Sequence, residues 1–500
     1  METKEKEQAQ ETVQPIEKIV ENRKEKLERV KASGVNPYPV KSEYTHNLQS
    51  LKTEYENLQK EQSTETEVKV CGRIIARRDM GKATFSHIQD FTGKLQLYFK
   101  MDNVGSETYK NFIDTVDIGD FIGVTGKLFR TRTGELTVNV KNYTLLSKAL
   151  RPLPEKWHGL KDVDTRYRQR YLDLISNQEV KEIFIKRARI LNLIRDQLNN
   201  NAFLEVETPI IQRLAGGALA RPFKTFHNTY NTDLFLRIAP ELYLKMLVVG
   251  GLERVFEIGK SFRNEGIDRQ HNPEFTMVEI YQAYSDCAGM IELCRNLIKG
   301  IVNALDLNEK VMFEGQVLNF AEFRIASMNE LFTEAFGKNV NILELVANNR
   351  IRDFAKEVHF DAGTETNDKK IFDHLFEQFI QPKLINPTFV TDHPLAYSPL
   401  AKAKDDITAD RFELYIAKEE MANAYSELND PQEQRKRFAN QNQNQTQKDE
   451  IHPMDDDFVT ALEHGMPPCG GLGIGIDRLT ILLTNSTSIR EVILFPLLRS

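Results

Sequence analysis

Cysteine is scarce in this chain, and long apolar runs are missing. Four cysteines stand in 500 residues, Cys71, Cys287, Cys294 and Cys469, with no CxxC pair and no Cys/His ligand spacing. That pattern argues against a structural zinc and against a disulfide framework, and it fits reduced thiols in the cytoplasm. No run of about 18 apolar residues occurs, so no segment is expected to span a membrane. The first fourteen residues are polar and charged and lack the apolar core of a secretion signal. An excess of positive charge is missing too. Lys+Arg 66 against Asp+Glu 73 gives a net charge of -7, so any contact with nucleic acid must come from local basic surface.

The chain is long enough for two or three cores, and 40% hydrophobic with 28% charged residues is the balance of a soluble globular protein. There is no internal repeat. Residues 1–15 read as disordered, and Ile16 to Ala32 as an exposed helix within an N-terminal segment covering 1–65. From about Glu67 apolar residues alternate: Val68, Val70 and Ile74, then Leu95, Leu97 and Phe99, then Leu136, Val138 and Val140. A short helix is expected over Glu107–Asp117, and a hairpin turn at Thr133-Gly134. Five strands with a helix after the third suggest an OB-type barrel over 66–148, with an SH3-like barrel as the nearest alternative on pattern alone. Residues 149–170 read as a linker, punctuated by Pro152, Pro154 and Gly159. A long α+β domain is expected over 171–500. Its expected parts are a helical stripe at Phe184, Ala188, Leu191, Ile194 and Leu198, a large antiparallel sheet, and a helical insertion near 320–385. Residues 441–449 read as a solvated loop.

Three constellations carry chemistry. Phe262-Arg263-Asn264-Glu265, followed by His271 and Phe275, places an arginine fork between two strands, where it fits phosphate oxygens or forms a surface ion pair. Gly471-Leu472-Gly473-Ile474-Gly475-Ile476-Asp477-Arg478 alternates glycine with apolar residues. It fits tight packing, or a helix start that sets Arg478 near a phosphate chain. Glu413 and Glu420 lie seven residues apart near a hairpin, and carboxylates are the ligands Mg²⁺ prefers.

Together with Asn201-Ala202-Phe203-Leu204-Glu205-Val206-Glu207-Thr208-Pro209, these segments resemble motifs 1, 2 and 3 of the class II aminoacyl-tRNA synthetases. Ile238-Ala239-Pro240-Glu241-Leu242-Tyr243-Leu244-Lys245, Thr276-Met277-Val278-Glu279-Ile280-Tyr281 and Asn423-Ala424-Tyr425-Ser426-Glu427 resemble the lysine-specific branch. The resemblance covers about residues 16–500. It implies an OB-fold that binds the anticodon, an antiparallel catalytic sheet flanked by helices, and a homodimer built through motif 1. It also implies ATP, L-lysine and tRNA(Lys) as substrates, with Mg²⁺.

The same resemblance assigns roles to residues. Arg263 would bridge the α-phosphate and the lysine carboxylate, and Arg478 would hold the γ-phosphate side. Phe275 and Glu265 would take the adenine, His271 the outer phosphates, and Glu413 and Glu420 the metal. Gly217 and Glu241 would bind the α-ammonium and Asn423 the carboxylate. Glu279, Tyr281 and Glu427 would take the ε-ammonium, with Tyr425 as an aromatic wall. Arg78, Phe85, Gln96 and Glu135 would read the anticodon, although periodicity alone puts Phe85 in the barrel core. Residues 66–100 carry seven Lys/Arg against three acids, in keeping with phosphate contact. The chain departs from the family's Pro-Gly-Gly at Ala215-Gly216-Gly217, and from Asn-Gly-Phe at Asn423-Ala424-Tyr425. An aspartate- or asparagine-specific ligase and a non-catalytic RNA-binding relative are the alternatives.

Overall fold

The computed structural model describes residues 15–154, 160–363, 365, 367–444 and 454–498. It divides into two compact units, 1–161 and 162–500. The disorder expected for residues 1–15 falls almost wholly outside the described residues.

In the first unit, strands β1 (Ser63–Met80), β2 (Ala83–Gln89), β3 (Lys94–Lys100), β4 (Phe121–Arg130) and β5 (Leu136–Ser147) close a barrel in the order β1-β2-β3-β5-β4. The parallel β3–β5 pairing and the helix Ser106–Thr115 between β3 and β4 make this the OB arrangement and dispose of the SH3-like alternative. Alternation along the strands puts Val68, Val70, Leu95, Leu97 and Val138 inside, and Phe112 of the helix stacks on Phe99 with ring centroids 4.0 Å apart. Gly134, at φ 97°, makes the β4–β5 turn. The helix Ile16–Ala32 forms where the charge-rich periodicity places it, and Arg23 donates to Ala149 O, Arg151 O and Ile118 O. A second helix, Leu48–Glu54, capped by Asn47, was not anticipated.

The stretch read as a linker is partly helical. Val163–Arg168 and Arg170–Ser176 are helices of the second unit, and the buried Arg170 pairs with Asp173 at 2.6 Å. The expected loop at 441–449 also needs correction: the helix beginning at Pro431 continues to Asn444, and 445–449 lie outside the described residues.

The second unit is built on eight strands. In chain order these are β6 (Leu204–Glu205), β7 (Arg254–Phe262), β8 (Glu274–Ala283), β9 (Arg324–Ser327), β10 (Thr388–Pro394), β11 (Thr408–Ile416), β12 (Glu419–Ser426) and β13 (Cys469–Gly475). They lie in the order β9-β10-β11-β12-β13-β8-β7-β6, antiparallel except for the two edge pairs. The helices Gln178–Asn200 and Cys287–Ala304 cover one face. Of the expected stripe only Ile194 and Leu198 are fully buried there, Phe184 and Leu191 are half-buried and Ala188 is exposed, while Ile190 joins the core unforeseen. Truncating Ile194 or Leu198 to alanine should cost about 2–5 kcal/mol. Four helices between Met328 and Phe379 form a core of their own after the edge strand β9. Among the described residues no helix is long and apolar enough to cross a membrane, and the four cysteines are free.

Candidate functional site

The central strands sort their side chains by parity. Val278 and Ile280 on β8, Leu472 and Ile474 on β13, Ala422 and Ala424 on β12, and Phe412 and Leu414 on β11 all enter the helix-covered core. Their odd-numbered neighbours face the other way. In register across the sheet run Glu279, Gly473, Asn423 and Glu413, and beside them Tyr281, Gly471, Tyr425 and Arg411. The glycines therefore form a floor between two walls of functional side chains. A Cβ at Gly471 would run into Glu427 Oε1 and stand 2.7 Å from Tyr281 Cε1, which is the reason for the alternating glycines. Above this floor lies a cavity of about 450 Å³.

At one end of the cavity the groups are acidic and buried. Tyr281 OH donates to Glu279 Oε2 at 3.0 Å, and Tyr425 OH donates to Glu241 Oε1 at 2.6 Å. Burial, reinforced by Glu241, lifts the Glu279 carboxyl to a pKa of about 8. Burial also holds Glu427 well above the ordinary carboxylate range, against the pull of Lys245. Glu427 Oε1 is buried and meets no hydrogen-bond donor among the described residues. An unpaired buried acceptor is costly, so the pocket is suited to a ligand that brings donors. Gly217 lies against Glu241: its φ is 87°, and a Cβ there would stand 3.0 Å from Glu241 Cβ. Glycine is required at that position whatever precedes Gly216.

The other end carries arginines beside carboxylates and lies where β7 and β8 meet their connecting loop. Arg263 sits over the Phe275 ring at 5.0 Å, and its Nε is buried without a partner among the described residues. Burial lowers its pKa from the ordinary arginine value, and the guanidinium remains a cation. Arg478, in the first turn of the helix Ile476–Thr484, donates to Glu420 O at 2.7 Å. Glu265 and His271 line the same cavity from the exposed loop, where His271 Nδ1 lies 2.8 Å from Asp268. Asn423 accepts from Arg411 Nε at 3.1 Å, which leaves its amide N–H₂ free to donate.

Glu413 and Glu420 reach this end by different routes. Glu413 is held by Arg411 and by Tyr415 OH at 2.9 Å. A register shift pairs Leu414 with Ala422 but Tyr415 with Glu420, so Met421 is an extra residue in β12. That bulge reverses the parity and turns Glu420 to the cavity. Burial, then Glu413, raises the Glu420 pKa. Two crowded carboxylates fit a divalent cation that takes its remaining ligands from water and phosphate. Among the described residues no group of three or more His, Cys, Asp or Glu offers a complete cage.

The barrel carries a separate polar face. Arg78, Phe85 and Tyr98 are adjacent in register on β1, β2 and β3, as are His87 and Gln96. Phe85 is half-exposed, 4.7 Å from the Tyr98 ring, so it belongs to the outer face and not to the core that periodicity suggested. Gln96 Nε2 and His87 Nε2 both reach Glu135, at 2.7 and 2.9 Å.

With this geometry in place, likeness to known proteins becomes specific. Residues 162–499 match the family model for class II tRNA synthetases (D, K and N), and residues 68–146 match that for an OB-fold nucleic acid binding domain. The lysine–tRNA ligase of Syntrophomonas wolfei is 46% identical over 97% of each chain. That of Moorella thermoacetica is 49% identical over 95% of this chain and 97% of its own. That of Clostridium novyi is 48% identical over 96% and 94%.

The chain belongs to the lysine–tRNA ligase family of class II synthetases.

Three further residues lie in or against this site, and sequence reasoning gave them no role. Lys245 is wholly buried, with its ammonium on Glu241 Oε1 at 2.7 Å and on Glu427 Oε2. Burial opposes that charge, but the two carboxylates outweigh it and hold its pKa above the ordinary lysine value. The available signal was a lone cation four residues after Glu241 on the apolar helix Glu241–Val249. Arg411, at the head of the Arg411-Phe412-Glu413 segment, and Tyr415 both hold Glu413, a role their spacing alone does not specify.

Proposed function

We infer that this chain activates L-lysine with ATP and transfers it to tRNA(Lys). The observation that carries the reading is one cavity with buried acidic groups at one end and Arg263 and Arg478 at the other. The lysine carboxylate attacks the α-phosphorus of ATP, and a P–O bond forms as the bond to pyrophosphate breaks. The terminal ribose hydroxyl of the tRNA then attacks the adenylate carbonyl and releases AMP. Position and charge supply most of the rate.

In this reading Arg263 bridges the α-phosphate and the lysine carboxylate, where charge develops. Phe275 stacks on the adenine and Glu265 accepts from its amino group. Arg478 and His271 hold the outer phosphates. Glu241 and Gly217 bind the α-ammonium, Asn423 steadies the carboxylate, and Glu279, Tyr281 and Glu427 receive the ε-ammonium beside Tyr425. Glu413 and Glu420 hold Mg²⁺, which neutralises phosphate charge when bound. The outer barrel face, with Arg78, Phe85, Gln96 and Glu135, takes the anticodon by stacking and edge contacts. A homodimer forms through the motif 1 segment, where Leu204, Ile210 and Ile211 are exposed, and the protein works in the cytoplasm. We propose an N-terminal segment over 1–65, the anticodon-binding barrel over 66–148 and the catalytic domain over 171–500, joined by 149–170, which turns helical from Val163.

The matched family model spans aspartate-, lysine- and asparagine-specific enzymes. An acidic substrate needs a cation at its side chain, and this pocket offers Glu279 and Glu427 there. An amino-acid-dependent ATP–pyrophosphate exchange panel tests the assignment. Lysine alone should support exchange, and exchange with aspartate in its place would overturn the reading.

A further inference from the structure

Lys245 lies behind the wall of the substrate cavity, and the chemistry of activation does not call on it. It does not line the cavity, is fully buried, and contacts two carboxylates that the reading above assigns to opposite ends of the amino acid. Four residues separate it from Glu241 on one helix, so that contact is set by helical geometry. Glu427 comes from the far side, just past β12.

We propose that Lys245 is a positioning residue that sets both the charge and the spacing of the amino-acid pocket. It ties Glu241 to Glu427 and offsets one of three buried carboxylates, so that two remain for a substrate that brings two ammonium groups. The proposal rests on the lysine reading of this site.

The contact is one-sided. Lys245 takes Glu427 Oε2 and leaves Oε1 buried without a donor over the glycine floor. Oε1 therefore keeps its full capacity to accept from a substrate ammonium. Without Lys245, Glu241, Glu279 and Glu427 would share one buried space with no cation against them, and a further carboxyl would have to take up a proton or accept an unpaired charge. Neighbouring side chains do not replace this cation. Tyr281 and Tyr425 are neutral donors, Cys469 is a buried thiol, and Arg237 is committed to Glu257 at 2.5 Å. Arg411 is committed to Glu413 and Asn423.

The test uses the full chain and lysine-dependent pyrophosphate exchange, with lysine and ATP KM measured separately, on Glu427→Gln, Lys245→Met, Lys245→Arg and the double variant Lys245→Met/Glu427→Gln. Each charge-removing single change should raise the lysine KM at least about tenfold and leave the ATP KM within about twofold. Lys245→Arg keeps the cation and should stay within about tenfold of wild type. The double variant again leaves two carboxylates without an internal cation, so its lysine KM should fall below that of Glu427→Gln alone.

A packing role gives the opposite order, because the two losses would then add. A double variant at or above the worse single variant would overturn the proposal, and so would a double variant that fails to fold. If Lys245→Met alone does not fold, the comparison of Glu427→Gln with the double variant still decides. Absence of lysine-dependent exchange in the wild type would instead remove the lysine reading itself.

Discussion

Replacing Glu279 with glutamine, and varying pH around the wild type, probes the acidic end of the site directly. Burial and Glu241 lift the Glu279 carboxyl to about 8, so in the empty pocket it is mostly protonated at neutral pH. An incoming ammonium favours the carboxylate, so lysine binding is linked to loss of that proton. If only the ionised form binds well, apparent affinity scales with the ionised fraction, and the lysine KM should fall about 50-fold between pH 6 and pH 8. The sign for stability is opposite to that of a salt-bridged acid. The neutral carboxyl stabilises the empty fold at low pH, and that contribution is lost as pH rises through about 8. Glu279→Gln should weaken lysine binding and remove this arm of the profile. The assay is lysine-dependent pyrophosphate exchange at saturating ATP across that range, with the ATP KM as control. A wild-type lysine KM that is flat from pH 6 to 8 would refute the reasoning.

Arg263→Ala should lose roughly 3 kcal/mol or more of transition-state stabilisation, read as a fall of at least about 100-fold in exchange with an unchanged circular dichroism spectrum. Removing residues 1–161 should leave lysine activation intact and severely reduce tRNA charging, because the barrel has its own core and face; full charging by the truncated protein would contradict an anticodon role. Norleucine leaves the buried acceptors unpaired and should be rejected by about 10⁴ or more, whereas ornithine keeps the charge and should lose only about 10–200-fold, both measured as kcat/KM in exchange. Gly471→Ala places a Cβ against Glu427 Oε1 and Tyr281, so its lysine KM should rise sharply while the ATP KM holds; an unchanged lysine KM would remove Gly471 from the floor.

Much of this protein is written locally. The helix Ile16–Ala32, the alternating barrel strands and the Gly134 turn follow from periods and punctuation that neighbouring residues set among themselves. The three motif segments are likewise contiguous, so Arg263, Phe275 and Arg478 could be named before any fold was known. The tertiary structure decided what depends on distant partners. It put Phe85 outside the barrel beside Tyr98, where strand parity and not hydrophobicity sets the face. It made Met421 a bulge that turns Glu420 toward Glu413, which spacing along the chain does not specify. It also buried Lys245 between Glu241 and Glu427, residues 186 positions apart. A cation can occupy that site because two carboxylates from separate elements repay its lost hydration, and the register of four strands and one helix assembles them.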